Sequence, residues 1–370
     1  MRETGGSWLC VAWGSPEGGR IEAAAGCVRS EAGLRLRHDR WQCRSVAPLG
    51  KLPVSMGTRR RPPLQAYPEH DRHPWLKRFI ERAGHPLFLL GALALWWAMG
   101  RSEVAALVAS AIILALMEWL ERVVPAKPSW RLSARQRLAL VGWYLAILLV
   151  TGVVLASYGL LVTPALAGLR EGLGVTLWPA SWPVLVQVLA LYFAADFIYY
   201  WIHRAIHRFG WFWRLSGHGV HHAFHNLHAL NVGAAHPLET LFLALPTVLL
   251  AGLFGAPGEA VAGAVVLLVV NGTLAHANLR MDTPVLNWFF TSSNQHRRHH
   301  SQVYAHSNTN FACNAIVWDR LFGTYSDGDV EQTGIGPRQP GLWELLRLPW
   351  REPDDADTAA SRRRQRNPAS

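Results

Sequence analysis

From Pro86 onward the chain alternates long apolar runs with short charged breaks. "PLFLLGALALWWAM" (86–99) and "VAALVASAIILALMEWL" (104–120) are split by a very brief polar interruption and predict a helical hairpin. "LALVGWYLAILLVTGVVLASYGLLV" (138–162) is long enough to cross a bilayer, which takes about 20 apolar residues. A loop is expected over 163–181, then a further span in "WPVLVQVLALYFAADFIYYWI" (182–202). "LETLFLALPTVLLAGLFG" (238–255) and "EAVAGAVVLLVVNGTLA" (259–275) predict a second hairpin, each leg marginal for a full span and read as re-entrant or tucked into a thin bundle. The expected fold is an all-α integral membrane protein. It has four to six transmembrane or re-entrant helices and a cytoplasmic histidine-rich helical cap.

The rest of the chain reads differently. Residues 1–80 show neither a period of 2 nor one of 3.6 and no signal-peptide core, and are expected to be a poorly ordered leader. One reading makes residues 1–55 a mis-called gene start, with Met56 opening a basic leader, "MGTRRRPPLQ". Residues 81–180 are expected to hold the N-terminal spans and 181–330 the catalytic domain. The tail, 331–370, is expected to be largely disordered, its charged, Ala- and Ser-rich part beginning near Pro353.

Charge sets the topology. Only 16% of residues are charged, against roughly 25% in an ordinary soluble domain. The net charge of +11 collects in loops beside the apolar runs and in the tails, without a nucleic-acid recognition module, so nucleic acid is not an expected partner. The 121–137 break carries five Lys/Arg, whereas 163–181 carries one Arg and one Glu. The positive-inside rule therefore puts the first in the cytoplasm and the second outside. The span 182–202 then returns to the cytoplasmic face, and the following hairpin leaves and returns to that face. The four cysteines form no CxxC pair, so neither a disulfide framework nor a thiolate zinc site is read. Metal, if held, is held by imidazole.

Thirteen of the 17 histidines lie between His203 and His306. Three clusters stand out: "HRAIH" (His203, His207), "HGVHH" (His218, His221, His222) and "HRRHH" (His296, His299, His300). Residues at i, i+3 and i+4 share a helix face, so each cluster aims its imidazoles one way. Eight donors exceed what one ion accepts, and two metals with four or five ligands each is the economical arrangement. His276 supplies a ninth imidazole from the returning hairpin, and His236 is ranked below it as a tenth. His225, His228 and His306 break the spacing and rank lower still. A lone histidine on a surface carries no message; three spaced clusters at the ends of apolar spans do.

A closed structural zinc site needs four ligands, so this excess better suits a dinuclear iron centre that activates dioxygen. Neutral ligands leave metal charge uncompensated, which calls for carboxylates behind them. Asp196 is the candidate, on the helical face of His203 and His207; the plain alternative is an intramembrane Asp satisfied by a neighbouring helix. Asn231, Asn278 and Asn294 are candidates for orienting imidazoles, although loop Asn is commonly turn chemistry. Tyr199, Tyr200 and Trp201 read as an interfacial aromatic belt, or else as the lining of a lipid entry path. A zinc peptidase is excluded because Arg204 stands where HExxH needs Glu. A transporter would place its ligands near the bilayer midplane, and these lie at span ends.

The segments "DFIYYWIHRAIHR", "HGVHHAFHNLHALN", "HPLE", "HANL", "NQHRRHHSQ" and "WDRLFGTY" together resemble the fatty acid hydroxylase/sterol desaturase superfamily. The resemblance covers roughly 86–330, most specifically 192–325, and is nearest to the bacterial, alkylglycerol-monooxygenase-like branch. It implies two iron ions at the cytoplasmic membrane face, O2 as oxidant, a membrane lipid C–H bond as substrate and a separate electron-donor protein. The histidine boxes carry over to His203, His207, His218, His221, His222, His296, His299 and His300, and the lone histidine to His276. Some branches have HxxxH at that last point; here residue 272 is Gly, so one imidazole is offered. Asp319 and Arg320 in "WDRLFGTY" are expected to pair or cap the core, and Arg297 and Arg298 to face lipid phosphates or solvent. Hydroxylation and desaturation are equally compatible, as are sterol, hopanoid, carotenoid, fatty acyl and ether-lipid substrates.

Overall fold

The computed structural model describes residues 73–174 and 177–350; the expectations for the leader before residue 73, the Met56 start included, and for the tail after 350 lie outside the described residues. Among the described residues the regular elements are helical, with one isolated bridge between Ser301 and Thr333.

The first hairpin joins α1 (His85–Ala98) to α2 (Glu103–Val123). The turn uses left-handed backbone at Gly100 and Arg101, and Ser102 Oγ then caps α2 by accepting the Ala105 N–H. Ser133 and Gln136 form a capping box that starts α3 (Ala134–Ser157). The loop expected from residue 163 is helical instead. A wide turn over Tyr158–Val162 hands α3 on to Thr163–Gly172. Pro164 falls in the first turn of the resumed helix, where its missing N–H costs little. α4 (Val184–Arg208) runs past residue 202 and takes His203 and His207 into the same helix. α5 (Glu239–Leu249) extends by a wide turn to Phe254, and α6 (Gly258–His276) returns.

Among the described residues four helices are long and apolar enough to cross a membrane: α2, the continuous Ala134–Gly172, α4 and α6; α5 with its extension is shorter. α6 is thus longer than its marginal apolar run suggested, because Gly258 and His276 both join the helix. It is also the hub, packed against α1, α2 and α4. Lipid tails are as apolar as leucine, so close packing rather than water exclusion holds such a helix. A Cβ on Gly263 would lie 2.4 Å from Val188 and 2.7 Å from Trp96, so glycine lets α4 and α1 approach. α3 is the opposite case. Only 6% of its apolar window is buried, and Leu138, Leu145, Leu149 and Val153 are exposed. Such an apolar outer face identifies an integral membrane protein.

The helices alternate in direction, which brings the ends of α2, α4 and α6 together with the starts of α1, α3 and α5. At this end Glu121 of α2 accepts the Ala229 and Asn278 N–H groups, Arg137 of α3 pairs with Glu118 of α2, and Glu81 before α1 pairs with Arg280 after α6. At the other end Arg101 pairs with Glu259 and Arg170 donates to the Gly252 carbonyl. Short helices cover the first end: Gly210–Ser216, Gly219–His222, α7 (Ser293–His299) and Val317–Leu321. Residues 331–350, read from the sequence as tail, also fold onto it: helix Leu342–Arg347 brings Leu345 to Val220 and Phe224.

Candidate metal centre

Each histidine cluster is aimed by a local device. His203 and His207 lie one turn apart at the buried end of α4. Gly217, at φ +71°, turns the chain from one short helix to the next, and a Cβ there would meet His236 at 2.5 Å. His218, His221 and His222 follow at once. His276 is the last residue of α6. A capping box of Ser292 and Gln295 starts α7, which presents His296, His299 and His300.

These nine imidazoles form two groups, each with its ligand nitrogens within 4.8 Å of one another: His203, His207, His218, His222 and His299 in the first, and His221, His276, His296 and His300 in the second. All nine are buried. In the first group His218 Nε2 lies 2.9 Å from His203 Nε2, 3.2 Å from His207 Nε2 and 3.1 Å from His222 Nε2, and His299 Nε2 lies 3.2 Å from His203 Nε2. In the second, His276 Nε2 lies 3.3 Å from His221 Nε2 and 3.0 Å from His296 Nε2, with His300 Nε2 3.1 Å from His296 Nε2.

The opposite edges of the rings decide what these contacts are. His203 Nδ1 donates to the Phe311 carbonyl (2.6 Å), His299 Nδ1 to Thr309 (2.8 Å), His276 Nδ1 to Gly272 (2.7 Å) and His221 Nδ1 to Ala234 (3.3 Å). His218 Nδ1 donates to Glu239 at 2.5 Å. A neutral ring that donates from Nδ1 has a bare lone pair on Nε2. Thus His203 and His218 point two lone pairs at each other across 2.9 Å, as do His221 and His276 across 3.3 Å. Such pairs repel unless a cation lies between them. Nitrogens about 2.1 Å from a metal and at right angles around it stand about 3.0 Å apart. The donor set and its spacing fit metal ions. Burial and neighbouring imidazoles hold His221, His222, His296, His299 and His300 well below the usual histidine range, in the neutral form that ligates.

Behind the cage, several sequence expectations change. Asp196 is buried on the face of α4 expected for it but touches no imidazole; it accepts the backbone N–H groups of Asn314 (3.1 Å) and Ala315 (2.8 Å). Asp319 accepts those of Phe311 and Ala312, both at 2.8 Å. The two carboxylates brace one backbone segment, whose Phe311 carbonyl fixes His203. Asp319 does not pair with Arg320, whose guanidinium lies 3.8 Å over the Tyr325 ring. Glu239, which sequence reasoning missed, is the carboxylate that meets a cage histidine. Its one signal is that no other acidic residue stands between Asp196 and Glu259.

His236 is not brought to either group: its ring meets the Leu346 carbonyl and the Leu238 N–H. His225, His228 and His306 also lie outside both groups, His228 buried between Glu121 and the Trp130 carbonyl. Asn231 accepts the His228 N–H, Asn278 bonds the backbone of Lys127, and Asn294 accepts from Arg297; none of the three holds an imidazole of the cage. Arg297 faces inward rather than to lipid or solvent. It is 3% exposed and donates to the Ala277 and Leu279 carbonyls just beyond α6. Burial lowers its pKa to about 10, which leaves it charged at neutral pH. Arg298 donates to Ser326. Trp201 alone of the aromatic trio is exposed; Tyr199 stacks on His203, and the Tyr200 hydroxyl bonds Thr324.

Residues 188–324, which include every histidine of both groups, match the family model for fatty acid hydroxylase. The chain is similar to ornithine lipid hydroxylase OlsE of Rhizobium tropici, 37% identical over 42% of this chain and 49% of that one. It is also similar to very-long-chain aldehyde decarbonylase GL1-11 of Oryza sativa subsp. indica, 33% identical over 43% of this chain and 59% of that one. To methylsterol monooxygenase 2-2 of Arabidopsis thaliana it is 28% identical over 45% of this chain and 65% of that one. The chain thus spans about half to two thirds of the length of these relatives. No solved structure matches it. Over residues 188–324, then, the chain is similar to the fatty acid hydroxylase family, and the relatives it matches are named as lipid hydroxylase, sterol monooxygenase and aldehyde decarbonylase.

Proposed function

We propose that this chain is a non-haem di-iron oxygenase that hydroxylates or desaturates a membrane lipid C–H bond, with O2 as oxidant and electrons from a separate donor protein. The observation that carries the reading is the opposition of Nε2 lone pairs within two buried groups of five and four imidazoles. Nine neutral nitrogens exceed the needs of a closed zinc site and suit two ions of a redox metal. Bound there, iron would supply the activation of O2 and the oxidising equivalents.

The chain's own residues do the rest. Carbonyls of Phe311, Thr309 and Gly272 fix ring orientation, and Glu239 raises the basicity of His218 while offsetting metal charge. Burial of the cage keeps water from the reacting carbon. Its place at the ends of α4 and α6 sets it where a lipid chain meets the headgroup layer. The relatives named for ornithine lipid and methylsterol point to lipid as the substrate class. A cytoplasmic site agrees with the basic residues at the cage end, among them Arg122, Lys127, Arg131, Arg137 and Arg208, against Arg101 and Arg170 at the other.

The test is isotopic. Membranes containing the protein are supplied with 18O2 and reductant and their lipids are compared with those of a His299→Ala strain. A lipid that gains 18O or a double bond only with the intact protein is the expected result. Identical lipid profiles in the two strains contradict the reading.

A further inference from the structure

At the cage end an open cleft of about 580 Å3 separates the end of α2 from the start of α3, the size of a small-molecule site. Arg122, Arg131 and Arg137 line it together with Leu132, Leu138 and Val141. The three guanidiniums are not equally occupied. Arg137 is paired with Glu118. Arg131 donates only to a backbone carbonyl, that of Arg122, at 3.3 Å. The Arg122 guanidinium has no ion pair or hydrogen bond among the described residues. The cleft therefore presents uncompensated positive charge at its mouth and apolar side chains below.

Those apolar side chains continue along the membrane. Leu138, Leu145 and Leu149 are 73%, 57% and 72% exposed, and their spacing of seven and four residues puts them on one stripe of α3. A ligand that matches both parts has a phosphate above and an acyl chain below. We propose that this cleft binds an anionic phospholipid, its phosphate on Arg122 and Arg131 and one acyl chain along the Leu138–Leu145–Leu149 stripe. Glu121, next to Arg122, ties α2 to Ala229 and Asn278, so the bound lipid would brace the corner on which the histidine cage stands.

The full chain in mild detergent is titrated with phosphatidylglycerol or phosphatidylcholine, and retained lipid is read by native mass spectrometry. A roughly tenfold preference for phosphatidylglycerol is expected, falling to near parity in Arg122→Gln/Arg131→Gln. Arg135→Gln, in the first turn of α3 but outside the cleft lining, should keep the preference. Each variant must keep the wild-type size-exclusion profile; if the double variant does not, Arg122→Gln alone carries the comparison, since its side chain supports nothing else described. No preference in the wild type overturns the proposal. So does an equal loss in Arg135→Gln, which would assign the effect to general surface charge. Displacement of phosphatidylglycerol by equimolar inorganic phosphate would assign the cleft to a free anion and overturn the lipid.

Discussion

Glu239 lies 21 residues beyond His218, yet the two side chains meet at 2.5 Å. Removing its charge should loosen the five-histidine group: Glu239→Gln is expected to weaken metal retention against a chelator by roughly 10- to 100-fold. His236→Ala should leave metal content unchanged, because His236 faces Leu346 rather than the cage; a loss of metal would contradict that. Acid gives a third outcome. The rings of His221, His222, His296, His299 and His300 protonate less readily in the folded state than in the unfolded chain. As pH falls through about 6.5 the unfolded state takes up protons that the folded state lacks, so stability of the metal-free protein must fall. Thermal unfolding followed from pH 7.5 down to 5.5 should show a decreasing midpoint, and a constant or rising one would contradict the burial of these rings. Eight of the nine grouped histidines stood out in the sequence by their helical spacing, and His276 stood out only as a lone histidine at the end of an apolar run. Glu239 did not, since a tertiary contact set up by the turn at Gly217 makes the pair. Arg297 misled for a related reason: a charged residue between two histidines reads as exposed, but its side of this short helix is enclosed, and the guanidinium donates to two carbonyls and to Asn294.

α7 depends on its cap. Only seven residues long, it gains little from its own hydrogen bonds, and Ser292 with Gln295 satisfies its first N–H groups. Ser292→Ala should cost about 1 kcal/mol and lower metal retention, because this helix positions His296, His299 and His300. Gly233→Ala should be worse: its Cβ would lie 2.2 Å from the Tyr144 ring, pushing α3 off the turn Ala229–Gly233. Wild-type thermal stability in that variant would contradict this close contact between Tyr144 and the turn. Apolar runs located every long helix, since lipid leaves little choice but helix for such a run. Their ends were less legible. The apolar run ended at residue 162, and the wide turn that carries the helix on past Pro164 has no sequence signature. The apolar run of α6 ended before His276, although the helix does not.

At the scale of the molecule, strict alternation of α1 to α6 delivers four histidine-bearing segments and their supports to one end. This was legible from span order and loop charge, because both follow from the cost of moving charge across a bilayer. A cysteine replacing Arg131 should accordingly react with a membrane-impermeant maleimide only after cytoplasmic access is given, and one replacing Gly174 from outside; the reverse pattern would invert the sidedness. The covering of that end by residues 331–350 was not legible, because Leu345 and Leu348 dock on apolar side chains that adjoin the histidines rather than on a span. The central claim is that the two imidazole groups are metal sites of an oxygenase. Metal content per chain, measured on the full protein purified anaerobically in mild detergent, tests it most directly. The account predicts two irons, one for each group, with His299→Ala and His296→Ala each lowering the count. A single tightly held zinc, or no metal in a correctly folded protein, would contradict it.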